Sequence, residues 1–353
     1  MVGTSIGIVH RPQINLSRST ASRMWLVSCC ALLGIIQSAL TDQGASLVIA
    51  VSAVVSAIVI DLLIHIKSKN FSIRNGSTIT TALIFTLLMP NTIHPVIVVI
   101  GIAFALLIIK HSFGGLGANW MNPAAGAWLF VIACWPILFN EAFKEMPLYI
   151  INDAIGRNIT DPQGSPMNIL KLAGFSGTAQ DVSVTSMLNS TLFWLFGSKL
   201  PDGYIDLFIH RGSGIIADRG LLALLAGSIL LAASQISRFW ISAVYLGVYA
   251  ILVRLFGALP FGGSFGSGDV LFGLLSGGVI AAAFILLTDP ATGPKSAIGS
   301  AFAAIAAGYF TFVFRYQALL PYGAFFAILL LNVLTPLIRR IESRCLYENR
   351  RKK

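Results

Sequence analysis

Leu87-Leu88-Met89-Pro90 and Leu286-Leu287-Thr288-Asp289-Pro290 each end an apolar run with a proline, and the two prolines, Pro90 and Pro290, stand 200 positions apart. The same punctuation follows both. A second proline comes at Pro95 and Pro294, an Asn/Pro or Pro/Tyr break at Asn122-Pro123 and Pro321-Tyr322, and a closing proline at Pro136 and Pro336. Landmarks repeated at one spacing mark two copies of one unit, and membrane repeats of this kind hold their working site where interrupted segments meet.

Hydrophobic residues make up 56% of the chain and charged residues 11%, with a mean hydropathy of +0.81, which excludes a water-soluble globule. Apolar runs fall near 24–40, 45–66, 78–89, 96–109, 124–139, 220–233, 239–256, 270–287, 298–314 and 321–338. Several are shorter than the roughly 20 residues a straight membrane helix needs. Short runs ending in proline, such as 78–89, predict helices broken inside the membrane, where free backbone is tolerated only if it is buried in protein or lines a cavity. The expected fold is an all-α polytopic membrane protein of about ten transmembrane helices in two five-helix repeats with broken helices. An odd number of spans per half turns the second copy upside down, so the repeats are expected to be inverted.

Orientation follows the basic residues. Arg11, Arg18 and Arg23, then Lys67, Lys69, Arg74, Lys110, Arg238, Lys295 and the tail from Arg339 to Lys353 fall on one side, against Arg254 and Arg315 in the opposite loops. This asymmetry places both termini in the cytoplasm of a bacterial cell, with the chain in its inner membrane. The domains then read as a first membrane repeat over 1–139, an extracytoplasmic loop over 140–219, a second repeat over 220–338 and a basic tail over 339–353. The net charge of +10 sits in juxtamembrane loops and in Arg350-Arg351-Lys352-Lys353, so it points to anionic lipid and not to nucleic acid. The segment up to residue 23 has neither the apolar core nor the cleavage site of a signal peptide.

Cys29, Cys30, Cys134 and Cys345 include no Cys-x-x-Cys pair, and His10, His65, His94, His111 and His210 are scattered. No metal or iron–sulfur site is expected from this chain alone, though a ligand shared with a neighbouring subunit stays open. No catalytic triad or paired-carboxylate site is present. Gly262 to Gly268 lacks the lysine of a phosphate-binding loop and reads as a flexible loop.

The chemistry is therefore sought in polar groups near the breaks. Asp61 and His65, four apart on the second span, share a helix face, and ionisable groups at membrane depth are functional candidates; Asp61 bonding a neighbouring helix is the plainer alternative. Gly114-Gly115-Leu116-Gly117-Ala118-Asn119-Trp120-Met121-Asn122-Pro123-Ala124-Ala125 combines glycines that allow close backbone approach, amides at Asn119 and Asn122, and a proline suited to a first helical turn. Thr288-Asp289-Pro290 is the matching break, whose carboxylate either meets a cation or ligand or caps the helix after Pro294. Arg74-Asn75-Gly76-Ser77-Thr78 reads as helix capping. The 140–219 loop carries Asp153, Asp161, Asp181, Asp202 and Asp206, with short helices expected over 169–172 and 187–196; loops this long usually have a function, the alternative being a linker between halves.

With these residues laid out, the chain resembles the RnfD/NqrB family of membrane subunits in redox-driven ion pumps, and is most like its RnfD branch. The resemblance is carried by His10-Arg11-Pro12 with Ser19-Thr20, Asn75-Gly76-Ser77 through Pro90, Lys110 through Ala125, and Ser276-Gly277-Gly278 through Pro294, and it spans almost the whole chain. It implies a subunit, not a complete enzyme, of a translocase that passes electrons between ferredoxin and NAD while moving Na+ or H+. Other Rnf-type subunits and a flavin transferase are the implied partners, beside membrane lipid. Family members carry FMN joined through its phosphate to a threonine in a Ser-x-Ala-Thr-like motif. The closest stretch here, Asp181-Val182-Ser183-Val184-Thr185-Ser186-Met187-Leu188, puts Ser186 at the acceptor position and Thr185 where alanine is expected, and a one-residue shift restores Thr185; Ser176-Gly177-Thr178 is a weaker alternative. Asn75 stands where the family pattern has Asp. The interrupted helices leave room for an ion or a second, noncovalent flavin, with Asn119, Asn122, Thr288 and Asp289 as contacts and Asp61 and Asp289 as ion-pathway carboxylates. The competing class is a flavin-free inverted-repeat channel or secondary transporter, since Asn122-Pro123-Ala124 resembles the half-helix breaks of water channels.

Overall fold

The computed structural model describes residues 19–66, 75–115, 117–139, 178–196, 200–209, 214–234, 238–261 and 263–351, and these are helical apart from turns and one isolated bridge. Helix α1 (Thr20–Thr41) starts where the Ser19 hydroxyl accepts the Ser22 N–H, satisfying one of the free donors of the first turn. A turn through Gly44 leads into α2 (Ala45–His65), whose Ser46 N–H is taken by Asp42 at 3.1 Å. Helix α3 (Ser77–Leu88) is short and buried along nearly its whole length. Helix α4 (Pro95–Ala103) opens on a proline, whose missing N–H costs nothing there, and continues as a π-helical segment over Phe104–His111. Helix α5 (Pro123–Cys134) also opens on proline.

Two helices of the long connection follow, α6 (Ala179–Thr191) and α7 (Tyr204–Ile209). The second half comprises α8 (Ile216–Arg219), α9 (Leu221–Ala233), α10 (Phe239–Phe256), α11 (Val270–Leu275), α12 (Val279–Ala281) with a π-helical continuation over Ala282–Leu286, α13 (Ala297–Phe312) with a π-helical end over Val313–Gln317, and α14 (Gly323–Arg351). By length and composition five helical stretches can cross a membrane: Thr20–Thr41, Ala45–Ile64, Phe239–Phe261, Ala297–Gln317 and Gly323–Arg344. Ser77–Leu88, Pro95–His111, Pro123–Cys134 and Leu221–Ala233 are shorter apolar helices, and the run expected over 270–287 is split at Ser276-Gly277-Gly278.

The halves share a local design. Gly76 precedes α3 at φ 70° and Gly278 precedes α12 at φ 69°, a left-handed entry that a side chain would strain. In each half an α-helix then passes into a π-helical segment that bears a buried cation, Lys110 in the first and Arg315 in the second. The charge pattern of the sequence places both in loops, and the structure corrects this. Lys110 is 2% exposed and Arg315 is fully buried, because the helix breaks beside them leave hydroxyl and carbonyl oxygens that need donors.

Lipid tails are as apolar as leucine, so what joins the halves is close packing and hydrogen bonding. Helix α1 crosses the α8–α9 boundary backbone to backbone: a Cβ on Gly220 would sit well inside contact distance of the Gly34 carbonyl. The Ile216 N–H donates to the Met89 carbonyl at 3.0 Å, so the break after α3 is closed by the second half. Tyr322 accepts the Ile215 N–H, also at 3.0 Å. Trp128 of α5 meets Phe325 of α14 edge to face at 5.2 Å.

Two further expectations change. Pro336 does not close a span but lies inside α14, where it removes the i to i−4 bond to the Asn332 carbonyl without ending the helix. The helix expected over 187–196 is α6 instead, starting at Ala179 because Thr178 caps it, with a 3-10 turn over Phe193–Phe196. The segment 169–172 lies outside the described residues.

Candidate functional site

Asn122 does two jobs. Its Oδ1 accepts the N–H groups of Ala124 and Ala125 at 3.0 and 3.3 Å, which caps α5, and this fixes the side chain so that Nδ2 faces the opposite half. There Nδ2 donates to Asp289 Oδ2 at 3.0 Å. Asp289 also accepts the Ala291 N–H at 3.0 Å, and the Thr292 hydroxyl stands 3.4 Å from Oδ2. Asp289 does not cap α13. Ser296 does that, accepting the Gly299 N–H at 2.9 Å, because two prolines, Pro290 and Pro294, separate Asp289 from the helix. The Thr288 hydroxyl donates to the Phe284 carbonyl, back onto its own helix.

A cavity of about 240 Å³ opens beside this link, lined by Lys110, Asn119, Asn122, Thr288 and Asp289 and walled by Phe284. The Asn119 Oδ1 is buried with no partner among the described residues. The predicted contacts Asn119, Asn122, Thr288 and Asp289 are thus brought together from both halves. A second cavity of about 410 Å³ lies on the other side of the Asp289-Pro290 segment.

Lys110 is a site residue that the sequence motifs do not single out. Its Nζ donates to Ser77 Oγ at 2.9 Å and to Thr78 Oγ1 at 3.0 Å, so these hydroxyls serve a buried ammonium and are not the helix caps expected from sequence. Thr78 also donates to Asp61 Oδ1 at 3.2 Å, and the His111 Nε2 lies 3.7 Å from the same oxygen. Asp61, Thr78, Lys110 and His111 form one buried polar cluster. The side chain of His65 lies outside what the structure describes. The signal available in the sequence is a lysine closing the apolar run from Val96 to Ile109. The matching cation, Arg315, donates to the Gly273 carbonyl at 2.6 Å and to Ser276 Oγ at 2.8 Å.

In the long connection, Asp181 and Asp206 are structural. Asp181 is buried and accepts the N–H groups of Gly203, Ile205 and Asp206, while Asp206 accepts the N–H and hydroxyl of Thr178. The two carboxylates lock α6 to α7, and Thr178 is consumed by this role. Thr185 is fully buried, its hydroxyl unpartnered among the described residues; Ser186 is exposed and donates only to the Ser183 carbonyl of its own helix. Tyr204 donates to the Asp269 carboxylate, which caps α11, and burial pushes the Asp269 carboxyl above its ordinary range and the Tyr204 phenol likewise.

A sequence model described as the NQR2, RnfD, RnfE family matches residues 8–347. The chain belongs to this family. Among its relatives in the NQR2, RnfD, RnfE family, it is 28% identical over 346 residues to the RnfD-type member of the proton-translocating ferredoxin:NAD(+) oxidoreductase complex of Clostridium ljungdahlii, covering 98% of this chain and 96% of that protein. It is 29% identical over 347 residues to the corresponding member of the Na(+)-translocating ferredoxin:NAD(+) oxidoreductase complex of Acetobacterium woodii, covering 97% and 95%. It is 27% identical over 349 residues to the corresponding member of an ion-translocating oxidoreductase complex of Vibrio vulnificus, covering 95% and 97%.

In this member of the NQR2, RnfD, RnfE family, the glycines of the Gly114 to Ala125 motif have a different role from the close approach expected. Gly114, Gly115 and Gly117 have φ of 105°, 86° and 89°, and around Gly115 and Gly117 the space for a side chain is open. They are needed for the turn that delivers Asn119 and Asn122, not for packing. Among the described residues no cluster of three or more metal-ligating side chains occurs.

Proposed function

We propose that this chain is the RnfD-type subunit of a membrane complex that couples electron transfer between ferredoxin and NAD to translocation of Na+ or H+, and that it carries flavin. The observation that carries the reading is the Asn122–Asp289 bond: the break of one half is tied to the break of the other, beside a cavity walled by polar groups from both. The shared glycine entries, π-helical segments and buried cations support two inverted five-helix halves and about ten spans, some of them broken. With both termini in the cytoplasm of a bacterial inner membrane, 140–219 is extracytoplasmic, between repeats at 1–139 and 220–338, with a basic tail over 339–353.

For the covalent FMN, Ser186 fits and Thr185 does not. A phosphoester needs a hydroxyl with room for the phosphate, and Ser186 is exposed between Val182 and Ser190 on α6, whereas Thr185 has no accessible surface. FMN held there would accept and pass on electrons; the chain's part is to position it through the Asp181–Asp206 lock. The cavity at Asn119 and Asn122 suits a second, noncovalent flavin, with amide groups to hydrogen-bond a polar ring edge and Phe284 to cover its face. Asp61 and Asp289 are the carboxylates placed to respond to a passing cation. Identity does not choose the ion, since relatives 28% and 29% identical are named for H+ and Na+.

In-gel flavin fluorescence of the denatured protein, made with its own flavin transferase, tests the reading. The expected result is a fluorescent band with FMN mass on the peptide holding Thr185 and Ser186, absent from the double alanine variant. A dark wild-type band would overturn the carrier assignment and favour a flavin-free transporter.

A further inference from the structure

The 410 Å³ cavity has no part in the proposed flavin and ion chemistry, and it is built from cations. Arg23 of α1, Arg238 before α10 and Lys295 before α13 converge on it. Among the described residues no carboxylate lies within ion-pair distance of any of them, and Arg238 makes one long contact, 3.4 Å to Ser300 Oγ. The carboxylate in the lining, Asp289, is already held by Asn122 and the Ala291 N–H. Three cations sharing a cavity repel one another unless an anion joins them.

Two further observations point to a ligand. Asn332 of α14 lines the same cavity, is 5% exposed, and its Nδ2 has no partner among the described residues. A buried amide donor left this way costs stability unless something accepts from it. Helix α10, 18 residues long, starts at the cavity mouth without a side-chain cap, so its free N–H groups and positive dipole end are available. The N-terminus of α13 is by contrast already occupied: Ser296 caps it and is itself bonded to Glu342. Beside Arg238, Phe239 and Trp240 are exposed, as are Ile298 and Phe302 of α13, so apolar surface rims the charged cavity.

We propose that this cavity is a binding site for a phosphate group, held by the Arg238 and Arg23 guanidiniums, the Lys295 ammonium and the Asn332 amide. The phosphate belongs either to a phospholipid head group, whose chains lie on the apolar rim, or to a small water-soluble phosphoester. The site is separate from the proposed flavin cavity in Arg238, Lys295 and Asn332, none of which lines the latter.

The test is extractable phosphorus on protein purified in mild detergent, partitioned between organic and aqueous phases and identified by mass, with flavin counted separately by absorbance. Wild type is expected to hold about one equivalent, and R238Q/K295Q at least tenfold less after the same wash. Phosphorus in the organic phase assigns the lipid, and in the aqueous phase the small ester. Asn332→Leu, which keeps all three cations, should also weaken retention at unchanged elution volume. Equal phosphorus in wild type and R238Q/K295Q, or none in wild type, would overturn the site whatever the flavin content shows.

Discussion

Asn122 and Asp289 are 167 residues apart in sequence and share a hydrogen bond at 3.0 Å. Because Asn122 caps α5 and Asp289 closes the break after α12, this single bond joins two helix interruptions of opposite halves. Hydrogen bonds to charged groups contribute on the order of 1.5–3 kcal/mol. A double-mutant cycle of Asn122→Ala and Asp289→Asn, read by thermal unfolding in detergent, should show a coupling of about 1.5 kcal/mol, whereas additive effects would deny the link. Asp289→Asn alone should keep the flavin and slow ion transport relative to electron flow; sodium or proton uptake into vesicles that matches wild type would remove Asp289 from the pathway.

Ser186 and Thr185 separate by exposure. Ser186→Ala should abolish the fluorescent band, while Thr185→Ala should retain it, with a modest change in stability from the lost buried hydroxyl. The reverse pattern would mean that α6 presents Thr185 during attachment.

Lys110 and Arg315 serve the same purpose in the two halves, satisfying oxygen atoms at a broken helix. Removing such a cation while its acceptors and Asp61 stay buried costs on the order of 3 kcal/mol. Lys110→Met should therefore lower the melting temperature strongly, and Asp61→Asn in the same chain should restore part of it. A Lys110→Met variant that melts like wild type would show that the cluster is not under electrostatic strain.

Asp269 supplies a pH test. Its folded carboxyl is raised above the ordinary value of 3.8, first by burial, so between these two values the folded chain holds a proton that the unfolded chain has lost. Stability should rise as the pH falls through the raised value, and the penalty is fully present above it. Asp269→Asn keeps a capping side chain and should flatten this part of the pH profile. A profile identical to wild type would assign the dependence elsewhere.

Much of the architecture is legible in the sequence because it depends on composition along the chain. The apolar runs, the proline-ended segments and the Asn122-Pro123 helix start are local signals, and each has its counterpart in the structure. Lys110 and Arg315 are not legible in this way. A basic residue at the end of an apolar run looks the same whether it reaches the membrane surface or turns inward, and only the position of Ser77, Thr78, Gly273 and Ser276 settles which. The boundary of α6 escapes the sequence for a similar reason: Thr178 becomes a cap only because Asp206, from another helix, holds it.

By itself the sequence determined a polytopic helical membrane protein with interrupted segments at Pro90 and Pro290, since hydropathy and proline act on the residues beside them. The tertiary structure alone decided which polar groups meet: Asn122 with Asp289, Lys110 with Ser77 and Thr78, and Asn332 with three cations around one cavity. These pairings depend on how the halves pack, through contacts such as Gly34 on Gly220, and no run of neighbouring residues encodes a distance between segments so far apart in the chain.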